Sequence, residues 1–221
     1  MSRLKTASHL SHKCALVLLP PSSIAPPIES VRRIYDKHFA RWPPHVNLIY
    51  PFLASPSDAS LSEHIDGNIG KTQRSLKSET QRRIQKVIRQ HPPFKVNLRT
   101  DPSNVFSHSK KSKTVWLDPE PELDALSQLQ AALQAEFAEC DADVRPFRPH
   151  LSVGQASSDK GALALVEEMK DSIRAFLSEN SDQKGISSSL ALNWEVDQVF
   201  VIERIGFHGR FNIIGTVDLG E

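Results

Sequence analysis

The chain has 221 residues with a formal net charge of +1 at pH 7, and 39% of its residues are hydrophobic. This length and composition suffice to bury a core without cofactors or disulfides, so we expect one soluble domain over residues 1–221, with room for two lobes. No apolar run reaches the roughly 20 residues that a membrane-spanning helix needs, and the motifs of metal sites and phosphate-binding glycine loops are absent, which predicts no membrane partner, metal or cofactor.

The first half of the chain predicts a strand, a helix and a second strand that begins with a histidine. Residues 13–19 form an apolar run that ends at two prolines. A proline at position 26 or 27 suits the first turn of a helix, and apolar residues recur after it at helical spacing. These residues are Ile28, Val31, Ile34, Tyr35 and Phe39. The helix leads to Pro44-His45-Val46-Asn47-Leu48, which reads as an extended strand.

Residues 55–90 read as a polar, basic insertion that shows little periodicity until about residue 84, where apolar spacing indicates a short helix. Residues 71–113 contain twelve Lys or Arg and two acidic residues, a local charge of +10. Such a surface would attract a polyanion such as RNA through counterion release. The residues that would guide the RNA are Lys110, Lys111 and Lys113. A solvated surface accounts for the same composition, so both interpretations stay open.

The second half of the chain repeats the order of the first. Residues 114–117 read as a strand, prolines follow, and the next apolar residues recur at helical spacing. These residues are Leu123, Leu126, Leu129, Leu133 and Phe137. The stripe leads to Pro149-His150-Leu151-Ser152-Val153, which repeats the first motif: proline, histidine, an aliphatic, a small polar and another aliphatic residue. Because His45 and His150 are 105 positions apart, only the fold can bring them together.

The rest of the chain predicts scaffold. A helix is expected over about residues 159–177, and two strands over residues 195–205 and 211–219 are joined by a tight turn. His208 lies in that turn and would reach a cleft if the turn faces one.

The two cysteines, Cys14 and Cys140, show no paired spacing. This usage predicts thiols packed as small hydrophobic groups in a reducing compartment, either the cytoplasm or the nucleus. We also expect a monomer.

The two histidine motifs predict a shared chemistry. On an extended strand, residues i and i+2 share a face, so His45 lines up with Asn47 and His150 with Ser152. Two such strands would supply an acid, a base and two donors to an oxyanion or a phosphate. A lone proline-histidine pair is more often structural, but two copies within a duplicated strand-helix-strand order favour a catalytic pair.

With their flanking residues, these motifs make the chain similar to the 2H phosphoesterase superfamily, which is named for two His-x-Thr/Ser-x motifs. The flanks that carry the resemblance are Arg41-Trp42-Pro43-Pro44, Tyr50-Pro51-Phe52 and Arg145-Pro146-Phe147-Arg148. The chain most resembles members that act on 2′,3′-cyclic phosphates of RNA ends. The resemblance implies an α+β fold of two lobes, in which two antiparallel sheets related by pseudo-twofold symmetry face a central cleft.

The resemblance also implies the roles of the motif residues. His45 and His150 would be catalytic, with His150 as the base and His45 as the acid, and Asn47 and Ser152 would bind the phosphate. The substrate would be an RNA 3′ end or a cyclic nucleotide, opened to a 2′-phosphate. Two positions depart from the family pattern, because Asn47 stands where Thr or Ser is usual and Gln155 where some members carry a basic residue.

Further substrate contacts are expected from Gln155, as a neutral partner, and from aromatic side chains near the motifs. The aromatic candidates are Trp42, Tyr50, Phe106 and Phe147. Two alternatives use the same four motif residues. One is a 2′-5′ oligonucleotide phosphodiesterase or ligase, and the other is an RNA-end binding module without turnover, which the unusual Asn47 keeps open.

Overall fold

The computed structural model describes residues 7–60, 73–101, 103–121, 124–142, 145–180 and 190–220. The elements up to residue 88 are β1 (Leu10–Ser11), β2 (Cys14–Leu18), α1 (Ala25–Tyr35), β3 (Val46–Ile49), β4 (Phe52–Leu53), β5 (Ser57–Ser60), β6 (Gln73–Leu76) and α2 (Ser78–Ile88). The elements after it are β7 (Phe94–Arg99), β8 (Val105–Ser109), β9 (Ser112–Pro121), α3 (Ala125–Glu136), β10 (Leu151–Ala156), α4 (Asp159–Asn180), β11 (Ala191–Val196), β12 (Gln198–Arg204) and β13 (Phe211–Asp218).

Nine of these strands form one antiparallel sheet, and the two histidine strands lie side by side at its middle. The order is β11-β7-β9-β10-β3-β2-β12-β13, with β8 also paired to β9. Strands β3 and β10 meet at the pair Val46–Leu151. On the two sides of this junction, β2-α1-β3 and β9-α3-β10 repeat one unit. The α+β fold and its internal repeat are thereby confirmed.

The two sheets implied by the resemblance are joined at their histidine strands. Each half is an antiparallel sheet in its own right, and the join pairs backbone groups that two separate edge strands would leave exposed. The histidines therefore lie on neighbouring strands of one curved surface, close to the axis that relates the halves.

The helices cover one face of the sheet and bury the main core against it. Helix α1 packs on α4 and β10, whereas α3 packs on α2 and β3, so each helix of the repeat lies against the histidine strand of the other half. The aliphatic residues of both motifs are buried in this core, namely Val46, Leu48, Leu151 and Val153. Because side chains alternate along a strand, the polar motif residues project from the opposite face.

Helix α1 ends earlier than its apolar stripe predicts. Ile28 and Val31 are buried as expected, but Ile34 is 71% exposed, and the last residue of the stripe lies beyond the helix. The backbone becomes extended at Asp36, where the helix is capped. Arg32, four residues after Ile28, occupies the inward position instead and is only 2% exposed.

The region predicted as a polar insertion, residues 55–90, contributes to the core. Strands β5 and β6 pair with each other, and Ile84 and Ile88 of α2 are fully buried. This helix confirms the apolar spacing seen in the sequence. Residues 61–72 of the region lie outside the described residues.

One of the three lysines expected to guide RNA is not available for that role. The Lys113 ammonium is buried, where it donates to the Ser107 hydroxyl at 2.9 Å and pairs with the Asp159 carboxylate at 2.9 Å. The expectation is wrong for Lys113, because its side chain is buried and its ammonium is already paired with Asp159. Lys110 and Lys111 are exposed at the turn between β8 and β9.

The C-terminal hairpin and the thiols are found as expected. Strands β12 and β13 pair in register from Arg204–Phe211 to Gln198–Asp218, with one irregularity near Val201. Cys14 and Cys140 are buried free thiols. Within the described ranges, no helix is both long enough and apolar enough to span a membrane.

Candidate active site

The register between β3 and β10 brings the four polar motif residues together. Val46 lies opposite Leu151 in an antiparallel pair. Continued by one residue in each direction, that register places His45 opposite Ser152 and Asn47 opposite His150. Residues directly opposite in an antiparallel pair have Cβ atoms about 4.5–5.5 Å apart. All four side chains therefore share one small patch on the face away from the helices.

His45 is held by its own strand in one orientation. Its Nδ1 lies 2.8 Å from the Pro43 carbonyl, which can only accept, so Nδ1 carries the hydrogen and Nε2 faces the patch. The ring stacks on Trp42, with the centroids 4.6 Å apart and the planes 16° from parallel. Burial, together with the positive charges of Arg32 and His150, lowers the pKa of His45 to about 4, against the opposing effect of the hydrogen bond to the Pro43 carbonyl. The free ring is therefore neutral, with a lone pair on Nε2.

His150 repeats this arrangement on the other strand. Its Nδ1 lies 2.8 Å from the carbonyl of Arg148, again the residue two positions earlier, so Nε2 is again the free nitrogen. The His150 and Phe106 rings pack nearly perpendicular to each other, with the centroids 4.9 Å apart. Burial lowers its pKa, and the charges of Arg148 and Arg145 act in the same direction, while the bond to the carbonyl opposes them. Both motifs thus fix the tautomer that acid-base transfer through Nε2 requires.

Asn47 and Ser152 supply the neutral donors of the patch. The Asn47 Nδ2 atom lies 3.3 Å from His45 Nε2 and donates to its lone pair, which is consistent with a neutral His45 ring. The Asn47 Oδ1 atom is buried and has no hydrogen-bond partner among the described residues. An amide carries two hydrogens, so Asn47 can donate one to the imidazole and one to a bound phosphate oxygen.

A cleft of about 420 Å³ opens over this patch. Three of the four motif residues, His45, Asn47 and Ser152, line it, and so does Gln155. His150 is not part of the lining, although the register sets it beside Asn47. The rest of the lining is mostly polar and includes the paired Arg32 and Asp36 together with Lys37, His38, His108 and Thr114. An open, hydrophilic cleft of this kind suits an anionic substrate better than an apolar one.

A buried ion pair under the cleft was not predicted from the sequence. Arg32 donates to Asp36 Oδ2 through Nε at 3.0 Å and Nη2 at 2.6 Å, and Nη2 also donates to the Trp42 carbonyl at 3.1 Å. Its Nη1 is buried and has no partner among the described residues. Burial lowers the pKa of Arg32, and Asp36 opposes that effect. The sequence signal was an arginine on the apolar stripe with an aspartate four residues later.

Gln155 lines the cleft, as its expected substrate contact requires, and also completes this network. Its Nε2 donates to Asp36 Oδ1 at 3.2 Å, and its Oε1 accepts from the backbone N–H of Lys37 at 3.0 Å. Burial would raise the pKa of Asp36, but the hydrogen bonds from the His38 N–H, Arg32 and Gln155 outweigh it and lower that pKa. Both ends of the Gln155 amide thus connect β10 to the end of α1.

The aromatic candidates fall into different places. Phe106 lies beside His150 and stacks on Trp116, with the centroids 5.1 Å apart. The Tyr50 hydroxyl donates to the His12 carbonyl at 3.3 Å, and burial raises the pKa of Tyr50. Phe147 packs on the main core. Trp42 is the candidate that lines the cleft, and the other three are absent from its lining.

Comparisons with known proteins agree with this geometry. Residues 20–206 match the family model of the 2′-5′ RNA ligase superfamily. The Geobacillus kaustophilus (strain HTA426) protein named "Putative phosphoesterase GK0864" is 28% identical over 144 residues, which make up 65% of this chain and 69% of the relative.

Solved structures share the fold at low sequence identity. The apo structure of E. coli LigT superposes with a TM-score of 0.51 at 15% identity, over 96% of this chain and 99% of LigT. The complex of E. coli LigT with 3′-AMP superposes with a TM-score of 0.50 at 16% identity, over 95% of this chain and 99% of LigT. The family match thus covers both histidine motifs, and the likeness in fold extends over nearly the whole chain.

Proposed function

The chain belongs to the 2′-5′ RNA ligase superfamily, and from that premise we propose that it hydrolyses 2′,3′-cyclic phosphates on RNA 3′ ends or nucleotides. The observation that carries the proposal is the pairing of β3 with β10, which sets two imidazoles of the same tautomer and two neutral donors on one patch. In a reaction at phosphorus with a water nucleophile and an alkoxide leaving group, these four groups can supply the base, the acid and the donors to the non-bridging oxygens.

The proposed step is an in-line displacement at the cyclic phosphate. One neutral imidazole removes a proton from water as the water oxygen bonds to phosphorus. The bond from phosphorus to the ribose 3′ oxygen breaks, and the other imidazole, protonated at Nε2, donates that proton to the leaving oxygen. Asn47 and Ser152 donate to the non-bridging oxygens as negative charge builds on them. The product is a 2′-phosphate with a free 3′ hydroxyl.

The surroundings of the two rings favour His45 as the base and His150 as the acid, opposite to the assignment that the resemblance implied. The His45 pKa of about 4 reflects a ring enclosed against Trp42 and close to the buried charge of Arg32. An anionic substrate adds a negative charge beside both rings and raises both pKa values. Burial and the charges of Arg148 and Arg145 also lower the pKa of His150, but Asn47 donates to Nε2 of His45, and no described residue donates to Nε2 of His150. We therefore propose that His150 takes up the proton that becomes the acid.

An assay with three substrates in EDTA tests the proposal. The substrates are a 2′,3′-cyclic mononucleotide, an oligonucleotide with a 2′,3′-cyclic end and a 2′-5′-linked dinucleotide. We expect turnover of a cyclic phosphate to a 2′-phosphate. Turnover of the 2′-5′ dinucleotide alone would identify a 2′-5′ phosphodiesterase instead. Tight binding of the cyclic end without any turnover would identify a binding module.

A further inference from the structure

The turn between β12 and β13 presents apolar side chains to solvent. Ile205 is 60% exposed, Phe207 is 69% exposed and Ile213, at the start of β13, is 52% exposed. These three side chains and the exposed Arg210 are called the hairpin platform below. Large apolar side chains grouped this way on a surface mark an interaction site more often than isolated ones do.

The platform is held in place by specific contacts. Arg204 Nη1 donates to the Gly206 carbonyl at 2.7 Å and also to the Phe207 carbonyl. Its guanidinium lies 5.6 Å from the centre of the Phe207 ring and 5.5 Å from that of Phe211. Gly206 has a φ of +70°, a conformation in which a side chain would be strained. The turn is therefore an ordered feature that presents Phe207 outward.

The platform is connected to the catalytic patch through a series of stacked aromatic rings. His45 stacks on Trp42, and Trp42 stacks on Phe211, with the centroids 3.7 Å apart. The Arg204 guanidinium then bridges Phe211 to Phe207. The backbone N–H of Phe211 donates to the Arg41 carbonyl at 2.8 Å, which ties the hairpin to the loop before His45. The connection passes through Phe211, whose ring is buried, so the hairpin is anchored on the same hydrophobic cluster as the Trp42 ring that lines the cleft.

The charge around the platform is positive. Arg204 and Arg210 belong to the hairpin, and Arg41 adjoins it. The acidic residue nearest the turn, Glu203, is buried, and its carboxylate accepts hydrogen bonds from Ser57 at 2.6 Å and from Arg74 at 3.1 Å. Positive side chains interleaved with an exposed aromatic ring match the bases and phosphates of a single strand of nucleic acid.

We infer that the hairpin platform binds the nucleotides of a single-stranded RNA that lie 5′ of its cyclic phosphate. A base stacks on Phe207 while Arg210 contacts a phosphate of the chain. This inference rests on the proposed function, and it adds that the substrate is an RNA strand longer than one nucleotide. A lipid surface or a second copy of the chain would also cover apolar groups, but neither accounts for continuity with the catalytic ring stack.

The test compares two substrates across three variants. We expect Phe207→Ala to lower kcat/KM for a cyclic-ended oligonucleotide by about 5- to 100-fold, because stacking on one aromatic side chain contributes that much. Turnover of a cyclic mononucleotide should not change. Arg210→Gln should reduce the slope of log(kcat/KM) against log salt for the oligonucleotide by about 0.7. Leu163→Ala is the matched control, because Leu163 is a 52% exposed apolar residue on α4. This variant should have the wild-type kcat/KM for both substrates.

Binding of an oligonucleotide that ends in a 2′-phosphate, followed by fluorescence anisotropy, separates this inference from the proposed function. If the wild type hydrolyses neither substrate but Phe207→Ala still weakens binding, the proposed function fails and the platform stands. Equal kinetics of Phe207→Ala and the wild type on the oligonucleotide, or equal losses on both substrates, would overturn the platform. If Phe207→Ala binds RNA as tightly as the wild type but no longer forms a dimer in sedimentation, or no longer binds anionic vesicles, the platform would also be overturned.

Discussion

The ion pair between Arg32 and Asp36 should be the most sensitive polar contact in the fold. Both side chains are almost completely buried, at 2% and 3% exposure, and the pair is closed at 2.6 Å. Replacing one partner leaves the other charge buried without compensation, which typically costs about 3–5 kcal/mol. In Arg32→Met, Asp36 keeps the hydrogen bonds from the His38 N–H and from Gln155. The expected loss in free energy of unfolding is therefore at the lower end, about 3 kcal/mol.

Urea unfolding of a double-mutant cycle measures this contact. The double variant Asp36→Asn/Arg32→Met should lose less free energy of unfolding than the two single variants lose in sum, because the double variant buries no lone charge. The control is Arg174→Met on α4, where the pair with Asp171 is 62% and 69% exposed and the expected change is below about 1 kcal/mol. The reasoning is refuted if the free energy of unfolding of Arg32→Met lies within about 1 kcal/mol of the wild-type value, or if the losses of the two single variants are strictly additive.

The same pair has a pH signature with a defined sign. The pKa of Asp36 is lowered in the folded state, so its stabilising effect is complete above the unfolded value of about 4 and is lost as the pH falls through the lower folded value. The difference in stability between the wild type and Asp36→Asn should therefore shrink only in strong acid. A difference that stays constant down to pH 2 would contradict this assignment.

Three further predictions concern the catalytic patch. A substrate with sulfur at the 3′ bridging position needs no acid, so it should rescue His150→Ala and leave His45→Ala inactive; the opposite pattern would exchange the two roles. The folded pKa of His45 lies at about 4, below the unfolded value near 6.5. The contribution of His45 to stability is therefore complete above pH 6.5 and declines toward pH 4. Melting curves of the wild type should approach those of His45→Gln as the pH falls from 6.5 to 4. Asn47→Ala should lower kcat by about 10²- to 10³-fold while Asn47→Thr retains more of it, and equal kcat values for the two variants would argue against a donor role for Asn47.

The features that the sequence predicted are those set by local periodicity. The strand-helix-strand repeat, the burial of Val46 and Leu151, and the common face of His45 and Asn47 all follow from spacing within a few residues. These local patterns also explain why the helix over residues 159–177 was predicted close to its observed bounds, Asp159–Asn180.

The features that the sequence did not predict depend on contacts between distant residues. Gln155 was expected to contact the substrate, but its bond to Asp36 was not predicted, because that bond joins positions 119 apart and no local pattern reveals it. Lys113 was expected to guide RNA, and its ion pair with Asp159 was not predicted, because Asp159 lies on α4, far along the chain. The joining of the two halves into one sheet depends on the single described pair between Val46 and Leu151, and strand pairing of this kind is set by the whole fold.

The central claim is that His45 and His150 act as one catalytic unit on a 2′,3′-cyclic phosphate without a metal. It is tested most directly by single-turnover hydrolysis of a cyclic mononucleotide in EDTA by the wild type, His45→Ala, His150→Ala and the double variant. We predict that each single variant loses about 10²- to 10⁴-fold, and that the double variant is little slower than the worse single variant, because residues acting as a unit are not additive. Near-normal turnover by either single variant, or hydrolysis by the wild type that stops in EDTA, would contradict the claim.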